Sequence, residues 1–89
     1  RMSALKSVAS GALRIIPFDG YELPYKSTES ALMKAFTIIN PGEVIRLYID
    51  RNPHTVIIKL ALKYGSKLIF QYLQNRDGGV IIDFKKVCM

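Results

Sequence analysis

The sequence predicts a two-layer α/β (α+β) sandwich in which a mixed four-stranded sheet carries two helices on one face. Three observations lead to this fold class. Apolar residues recur at helical spacing in two segments, they alternate with polar residues in four others, and turn residues separate the segments. The segments follow one another in the order β-α-β-α-β-β, and 89 residues make a single domain of this kind.

A lead-in and a first strand are predicted at the start of the chain. Residues 1–11 are small and polar without a clear period, which predicts a flexible or short helical lead-in to one domain over residues 12–89. The first strand is predicted over Ala12–Phe18. Because Pro17 cannot donate a hydrogen bond to a ladder, we expect it at the strand end or on an edge of the sheet.

The first helix is predicted to follow a loop over Tyr21–Lys26. Ser27 or Thr28 is expected as its N-cap, since a hydroxyl oxygen can accept a hydrogen bond from a free amide of the first turn. The residues expected on its buried face are Ala31, Leu32, Ala35, Phe36 and Ile39. The helix is expected to end at Asn40, because Pro41 disfavours the helical region for the residue before it.

The central strand and the second helix are both legible from residue 41 onwards. A Pro-Gly turn leads into a strand in which apolar residues alternate with Arg46 and Tyr48. Asn52 is expected as the N-cap of the next helix, with Pro53 at its first position. We expect its stripe to contain Val56, Ile57, Leu60, Ala61 and Tyr64, with Ile58 and Leu62 beside it and Gly65 as a left-handed C-cap.

A β-hairpin is predicted to complete the sheet. Its strands are Lys67–Gln74 and Val80–Val87, and its loop is Asn75–Gly79, in which Asp-Gly-Gly supplies positive φ. With both helices on one face, the other face is left open. We expect that open face to carry Arg14, Ile16, Arg46, Tyr48, Ile69, Gln71, Leu73, Ile81, Asp83 and Lys85.

The open face is expected to be an interface. Its predicted apolar side chains are too many for a free surface of so small a protein. A symmetric homodimer would cover them by pairing the same patch with itself, and the opposed charges of Arg46 and Asp83 would then set the register. The sequence therefore predicts a homodimer through the open sheet face.

The basic composition leaves two interpretations open. The formal net charge is +6, from 13 Lys and Arg against seven acidic residues, but the bases are spread along the chain without a cluster. That distribution favours an ordinary solvated surface. The alternative is a nucleic-acid-binding protein that uses a basic sheet face with Arg14, Arg46, Tyr48 and Lys85, although this face has one aromatic residue where stacking platforms use two or three.

The cellular compartment is predicted from the lack of long apolar segments and from the single cysteine. No apolar run approaches the roughly 18 residues that a membrane span needs, and residues 1–13 contain no apolar core of a secretory signal. Cys88 is the one cysteine, so an intrachain disulfide is impossible and a reducing compartment is expected. We predict a cytoplasmic protein without membrane contact.

The sequence gives no sign of catalytic chemistry. It has one histidine and one cysteine, which lie far apart and so lack the usual spacing of metal ligands. A Ser-His-Asp set is also absent. Glu22 and Glu29 have no third group to position them as a catalytic pair. Cys88 is interpreted as an incidental terminal thiol. The protein is therefore predicted to be no enzyme and to hold no cofactor or metal.

Several short motifs resemble those of the TusA/SirA-like sulphur-carrier superfamily. The matching residues are Gly20-Tyr21-Glu22-Leu23-Pro24, Pro41-Gly42-Glu43, Asp50 with Pro53, Gly65, Tyr72-Leu73-Gln74 and Lys85-Lys86. The likeness extends over roughly residues 12–87 and implies the same β-α-β-α-β-β fold. It also implies a carrier cysteine at position 23 or 25, but Leu23 and Tyr25 have no thiol. The chain is thus similar to the cysteine-less branch of that superfamily.

The best candidate for a ligand site is the loop before the first helix. Tyr21 and Tyr25 offer apolar area with a polar tip, Lys26 and Glu22 add charge, and a helix start offers free amides to an anion. Asp50 and His54, at the start of the second helix, complete the predicted site; a loop that packs its tyrosines on the core, and a solvated His54, are the alternatives. We predict a small non-enzymatic binding or accessory module of TusA-like fold, with a link to sulphur or redox metabolism.

Overall fold

A computed structural model describes residues 7–88 and contains the predicted order of elements. The strands are β1 (Arg14–Asp19), β2 (Glu43–Ile49), β3 (Leu68–Arg76) and β4 (Gly79–Lys86). The helices are α1 (Tyr25–Ile38) and α2 (His54–Tyr64), and a 3₁₀ turn over Gly65–Lys67 leads from α2 into β3. The predicted α+β fold is therefore confirmed.

The four strands form one mixed sheet in the order β1-β2-β4-β3. β1 runs parallel to β2, while β4 is antiparallel to both β2 and β3. Both helices pack on the same face, because one core contains buried side chains of each helix and of alternate strand positions. That core includes Leu32, Phe36, Ile45, Leu47, Val56, Leu60, Ile82 and Phe84.

The first strand lies at an edge of the sheet, which is one of the two positions expected from Pro17. β1 has a neighbour on one side only, and Pro17 lies opposite Arg46 of β2 in the register. A proline is tolerated there because its missing donor leaves no gap within the ladder. The strand begins at Arg14 rather than Ala12, because the amide of Ala12 donates to the carbonyl of Ala9 in a preceding turn.

The first helix starts earlier than predicted. α1 begins at Tyr25 with Pro24 in the N-cap position, and no side chain caps it. Thr28 lies inside the helix, buried, and its hydroxyl reaches the carbonyl of Gly20 at 3.5 Å. The threonine thus ties the β1–α1 loop to the helix instead of capping it, while the fixed φ of Pro24 leads the chain into the first turn.

The second helix also begins without the predicted cap. α2 starts at His54, and Pro53 occupies the N-cap position with no side-chain hydrogen bond. The Asn52 side chain is engaged elsewhere, because its Oδ1 accepts a hydrogen bond of 2.6 Å from the Tyr72 hydroxyl of β3. Gly65 is the C-cap as predicted and has a positive φ of 55°, but its ψ of −125° lies outside the left-handed helical region, so the predicted left-handed cap is not formed.

The solvent side of α2 corrects a second expectation. Ile58 and Leu62 are exposed and lie opposite Val56 and Leu60, which are buried. Residues four apart share one helix face, so these two apolar side chains form a small pair on the outer surface. They do not widen the buried stripe.

The hairpin has a longer first strand and a tighter turn than predicted. β3 continues to Arg76 and β4 begins at Gly79, which leaves Asp77-Gly78 as a two-residue turn. Gly78 has φ 77°, a value that favours glycine. A bulge interrupts the register between Tyr72 and Gln74, so that Leu73 is the extra residue on β3.

The composition of the open face differs from the prediction on β1. Ile16 lies opposite Ile45 and packs against the core beneath the helices, so it is not on the open face. By alternation, Arg14 shares the side of Ile16, and its side chain pairs with Glu43 at 3.4 Å. The sequence of β1 does not show which of its sides faces the core, because the consecutive residues Ile15 and Ile16 are both apolar.

The open face has a buried centre despite having no helix on it. Asp83 and Val44 are wholly buried, although both point away from the helices. The carboxylate of Asp83 accepts hydrogen bonds from both Nε and Nη2 of Arg46, at 2.8 Å and 3.0 Å. The pKa of Arg46 is raised above its ordinary value, chiefly by this hydrogen bond to Asp83.

Part of the predicted lead-in lies against this face. The amide of Ser10 donates to Ser7, which makes a turn, and the amide of Val8 donates to Oε1 of Gln71 on β3 at 2.9 Å. The described part of the lead-in is thus folded onto the sheet. The rest of the lead-in prediction falls on residues 1–6, outside the described residues. In residues 7–88, no helix is long and apolar enough to cross a membrane.

Candidate ligand site at the carboxyl ends of the parallel strands

Three connections of the chain meet at one end of the sheet, where β1 and β2 finish. β1 and β2 are parallel, so their carboxyl ends lie side by side, and each leads into the start of a helix. The hairpin turn joins them there, because the amide of Gly78 donates to the carbonyl of Asp50 at 3.1 Å. The predicted loop Tyr21–Lys26 therefore has both helix starts and the β3–β4 turn as neighbours.

Gly20 fixes the departure of the first loop from the sheet. Its amide donates to the carbonyl of Tyr48 at 2.7 Å. A Cβ atom at this position would lie 2.9 Å from that same carbonyl oxygen and 3.2 Å from Ile49. Only glycine permits this approach, so the loop leaves β1 close against the end of β2.

Tyr21 is held by its polar groups rather than by the core. Its amide donates to Oδ1 of Asp19 at 2.9 Å, and its hydroxyl donates to the carbonyl of Gly78 at 3.0 Å. About half of the side chain is exposed. The ring therefore lies at the surface with a fixed orientation.

The strongest electrostatic feature of the site is Arg51. Its guanidinium donates to both carboxylate oxygens of Asp50, at 3.1 Å and 3.4 Å, and its Cζ lies 5.4 Å from the centre of the Tyr25 ring. The hydrogen bond from Arg51 lowers the pKa of Asp50 below its ordinary value, and the same bond raises the pKa of Arg51. A cation is thus positioned between a carboxylate and an aromatic face at the start of α1.

The two helix starts leave amide donors without side-chain caps. Pro24 and Pro53 stand in the N-cap positions, and neither has a side-chain acceptor to offer. The first backbone hydrogen bonds within the helices are those of Thr28 and Ile57. Free amides in the first turn, together with the positive end of the helix dipole, favour a negative group nearby.

The structure brings together some of the predicted residues and not others. Tyr25 and Asp50 contact Arg51, and Tyr21 reaches the same end of the sheet through the Gly78 carbonyl. Glu22, Lys26 and His54 are exposed and, among residues 7–88, make no side-chain hydrogen bond or ion pair. Sequence reasoning missed Arg51 as a site residue. The available signal was its place beside Asp50, between a strand end and a helix start.

The residues of the nucleic-acid alternative do not form one cationic surface. Arg46, Tyr48 and Lys85 share the open face, but the Arg46 guanidinium is bound to Asp83. Arg14 lies on the other side of the sheet, paired with Glu43. Two of the three predicted bases are therefore engaged with carboxylates of the same chain.

A concave feature lies at the opposite end of the sheet, away from these loops. It is a cavity of about 320 Å³ lined by Pro41, Tyr64, Lys67, Lys86 and Cys88. Of its two lysines, Lys86 is already engaged, because its Nζ donates to the carbonyls of Ile39 and Thr37 at 2.8 Å and 3.1 Å. This lysine closes the end of α1, and the exposed Cys88 lies far from the loop before that helix.

Neither a metal-ligand group within residues 7–88 nor a match to another protein helps to interpret this site. Over the described range 7–88, no three His, Cys, Asp or Glu side chains lie together in a group that could hold a metal ion. Comparison of the chain with protein-family models, with curated proteins and with solved structures found no match. The binding properties of the site therefore follow from its own residues.

Proposed function

We propose that the protein is a small, non-enzymatic binding module of the cytoplasm that takes an anionic ligand at the carboxyl ends of β1 and β2. The observation that supports this most is the position of Arg51. Its guanidinium is held between the Asp50 carboxylate and the Tyr25 ring, at the start of a helix without a side-chain cap. The site thus contains a positioned cation whose present partner is an exposed carboxylate.

The geometry favours a ligand with a planar anionic group. A guanidinium binds a carboxylate or phosphate through two parallel hydrogen bonds, and an incoming anion can replace the exposed carboxylate of Asp50 in that role. The amides of the first turn of α1 add donors for the same group. The rings of Tyr21 and Tyr25 would contact a flat apolar part of the ligand.

The resemblance to sulphur carriers points to the same loop. In those domains the carrier cysteine precedes the first helix, at the positions that Leu23 and Tyr25 occupy here. Neither residue has a thiol, and Cys88 lies at the opposite end of the sheet, beyond the last residue of β4. Within a sulphur or redox pathway, the protein would therefore bind an anion or a partner at this loop without transferring sulphur there.

Titration followed by NMR tests the proposal. Benzoate and inorganic phosphate serve as probes, and the amides of residues 25–28, 51–52 and 54–56 should shift in a saturable way. A ligand that takes Arg51 removes the main cause of the low Asp50 pKa, so this pKa should rise towards its ordinary value as the probe is added. Without the probe, the Asp50–Arg51 interaction stabilises the protein above the ordinary pKa and is lost as the pH falls through the lowered one.

A matched pair of variants separates the site from general charge. Arg51→Gln should abolish the saturable shifts, whereas Arg14→Gln should leave them unchanged. Both arginines are exposed and each pairs with one carboxylate, but Arg14 lies at the other end of β1. Equal loss in both variants, or no saturable shift at millimolar probe, would contradict the proposed site.

The same samples distinguish the nucleic-acid alternative. If a single-stranded oligonucleotide binds with strong salt dependence, and Lys85→Glu weakens it while Arg51→Gln does not, the open sheet face is the functional surface. We expect little binding of the oligonucleotide, and we expect the anionic probes to bind in a way that depends on Arg51.

A further inference from the structure

The two edges of the sheet are unlike each other. β1 has six residues with Pro17 near its centre and charged residues at both ends. β3 has nine residues, and its stretch Leu68–Tyr72 contains neither proline nor charge. Proteins commonly protect edge strands with short length, proline and charge, because an open edge can pair with another chain. β1 is protected in this way and β3 is not.

The side chains beside the β3 edge are apolar on both faces of the sheet. Ile69 is 42% exposed on the open face, and Phe70 is 40% exposed on the helix face. Phe70 also packs against Phe84, with ring centres 6.2 Å apart, so its exposed part is held in place. An added strand would cover both side chains while its backbone paired with the open edge.

We propose that β3 pairs with β3 of a second copy of this chain, in an antiparallel arrangement that makes one continuous eight-stranded sheet. The sequence predicts a homodimer through the open face. The contact proposed here lies at the β3 edge instead, because the amide of Val8 of the same chain already donates to the Gln71 side chain on that face. A partner strand of another protein and residues 1–6 of this chain are the competing occupants that the experiment must distinguish.

The register of this pairing follows from the shape of β3. Its regular part is bounded by the 3₁₀ turn that ends at Lys67 and by the bulge after Tyr72. A two-fold axis relates the same stretch of both copies, so it passes through the midpoint, Phe70. Phe70 then faces its own equivalent, and Leu68 faces Tyr72 of the second copy. Aromatic and apolar pairs of this kind stabilise an antiparallel ladder.

The assembly also closes. Once the two β3 strands have paired, the remaining edges of the eight-stranded sheet are the two copies of β1, with Pro17 in each. Further pairing is disfavoured there, so growth stops at two chains. A dimer, rather than an open filament, is the expected product.

Light scattering coupled to size-exclusion chromatography tests the assembly. At about 100 μM, well above a micromolar dissociation constant, the protein should elute with twice the mass of one chain. Ile69→Glu should raise the dissociation constant about tenfold or more and shift the protein towards one chain mass. Ile69 lies opposite Lys85 of its own chain, so the new carboxylate has a partner in the folded monomer. Far-ultraviolet circular dichroism should confirm that the fold is retained.

Leu62→Glu is the matched control. It places the same charge at an apolar residue that is 82% exposed on α2, and this variant should remain a dimer. A monomeric unmutated protein would overturn the proposal. So would a dimer that survives Ile69→Glu, or one that Leu62→Glu disrupts equally. If only a chain lacking residues 1–6 dimerises, those residues occupy the edge and the proposal is wrong.

A disulfide tests the register directly. In a Cys88→Ser background, Phe70→Cys should cross-link two chains under mild oxidation, because facing residues of antiparallel strands have Cα atoms about 4.5–5.5 Å apart, within the range of a disulfide. Leu62→Cys in the same background should not. Absence of the Phe70→Cys cross-link in a dimeric sample would refute this pairing.

Discussion

The ion pair on the open sheet face offers a sharp test of how this protein is stabilised. Arg46 and Asp83 are joined by two hydrogen bonds of 2.8 Å and 3.0 Å, and Asp83 is wholly buried. Arg46→Met keeps most of the apolar stem of the side chain and removes only the guanidinium. The carboxylate would then stay beneath the surface without its partner. We expect this variant to be markedly less stable.

The expected loss can be bounded from the burial of the two partners. Removing one member of a fully buried ion pair costs about 3–5 kcal/mol. The Arg46 side chain is 28% exposed, so water can reach the carboxylate once the guanidinium is gone. We therefore expect a loss of about 2–3 kcal/mol, which is a large fraction of the roughly 5–15 kcal/mol that stabilises a typical domain.

Replacing both partners should behave differently from replacing one. In the double variant Arg46→Met/Asp83→Leu no charge remains buried, and apolar side chains of similar size fill the space. Its free energy of unfolding should lie within about 1 kcal/mol of the unmutated protein. The two substitutions should therefore be coupled by about 2 kcal/mol or more.

Equilibrium unfolding in urea, followed by circular dichroism, measures these differences. The midpoint should fall in Arg46→Met while the slope stays constant, which signals a change in stability alone. Arg14→Met is the control: the Arg14 side chain is 65% exposed and its pair with Glu43 is longer, at 3.4 Å, so we expect a loss of no more than about 0.5 kcal/mol. Equal losses in Arg46→Met and Arg14→Met, or a double variant that costs the sum of its parts, would refute the reasoning.

Two further predictions concern the ends of α1. Gly20→Ala should cost about 1–3 kcal/mol, because the new Cβ would lie 2.9 Å from the Tyr48 carbonyl oxygen; urea unfolding should show the loss, and an unchanged midpoint would mean that the loop yields freely. Lys86→Met should cost about 1–2 kcal/mol, because the ammonium donates to the carbonyls of Thr37 and Ile39 at the helix end. Hydrogen exchange should rise first in the last turn of α1, and uniform exchange along the helix would argue against this capping role.

The sequence by itself determined the order and type of the elements. Strand and helix periods are properties of consecutive residues, so alternation around Arg46 and helical spacing around Phe36 were visible without a structure. Local turn chemistry was equally readable, as Asp77-Gly78 shows, and Pro17 correctly indicated an edge strand. These features depend on backbone sterics within a few residues.

The facing of β1 and the helix starts needed the tertiary structure. In β1 the apolar pair Ile15-Ile16 carries no alternation, and shifting a strand by one residue reverses every side chain; only packing against the core settled that Ile16 points inward. Thr28 and Asn52 are good caps by composition, but the structure uses both for contacts with distant residues. A side chain that could cap a helix can instead form a hydrogen bond with a residue that is distant in the sequence.

The candidate site was predicted only in part for the same reason. Tyr21, Tyr25 and Asp50 were named from the loops that contain them. That they meet at one end of the sheet depends on parallel strands ending side by side and on the hairpin turn reaching Asp50 and Tyr21. Likewise, Arg46 and Asp83 were placed on one face, while their pairing within one chain rests on a register between strands 37 residues apart. Local sequence decides what each segment can become, whereas distances between segments are decided by the packed core, and the chemistry of this protein depends on those distances.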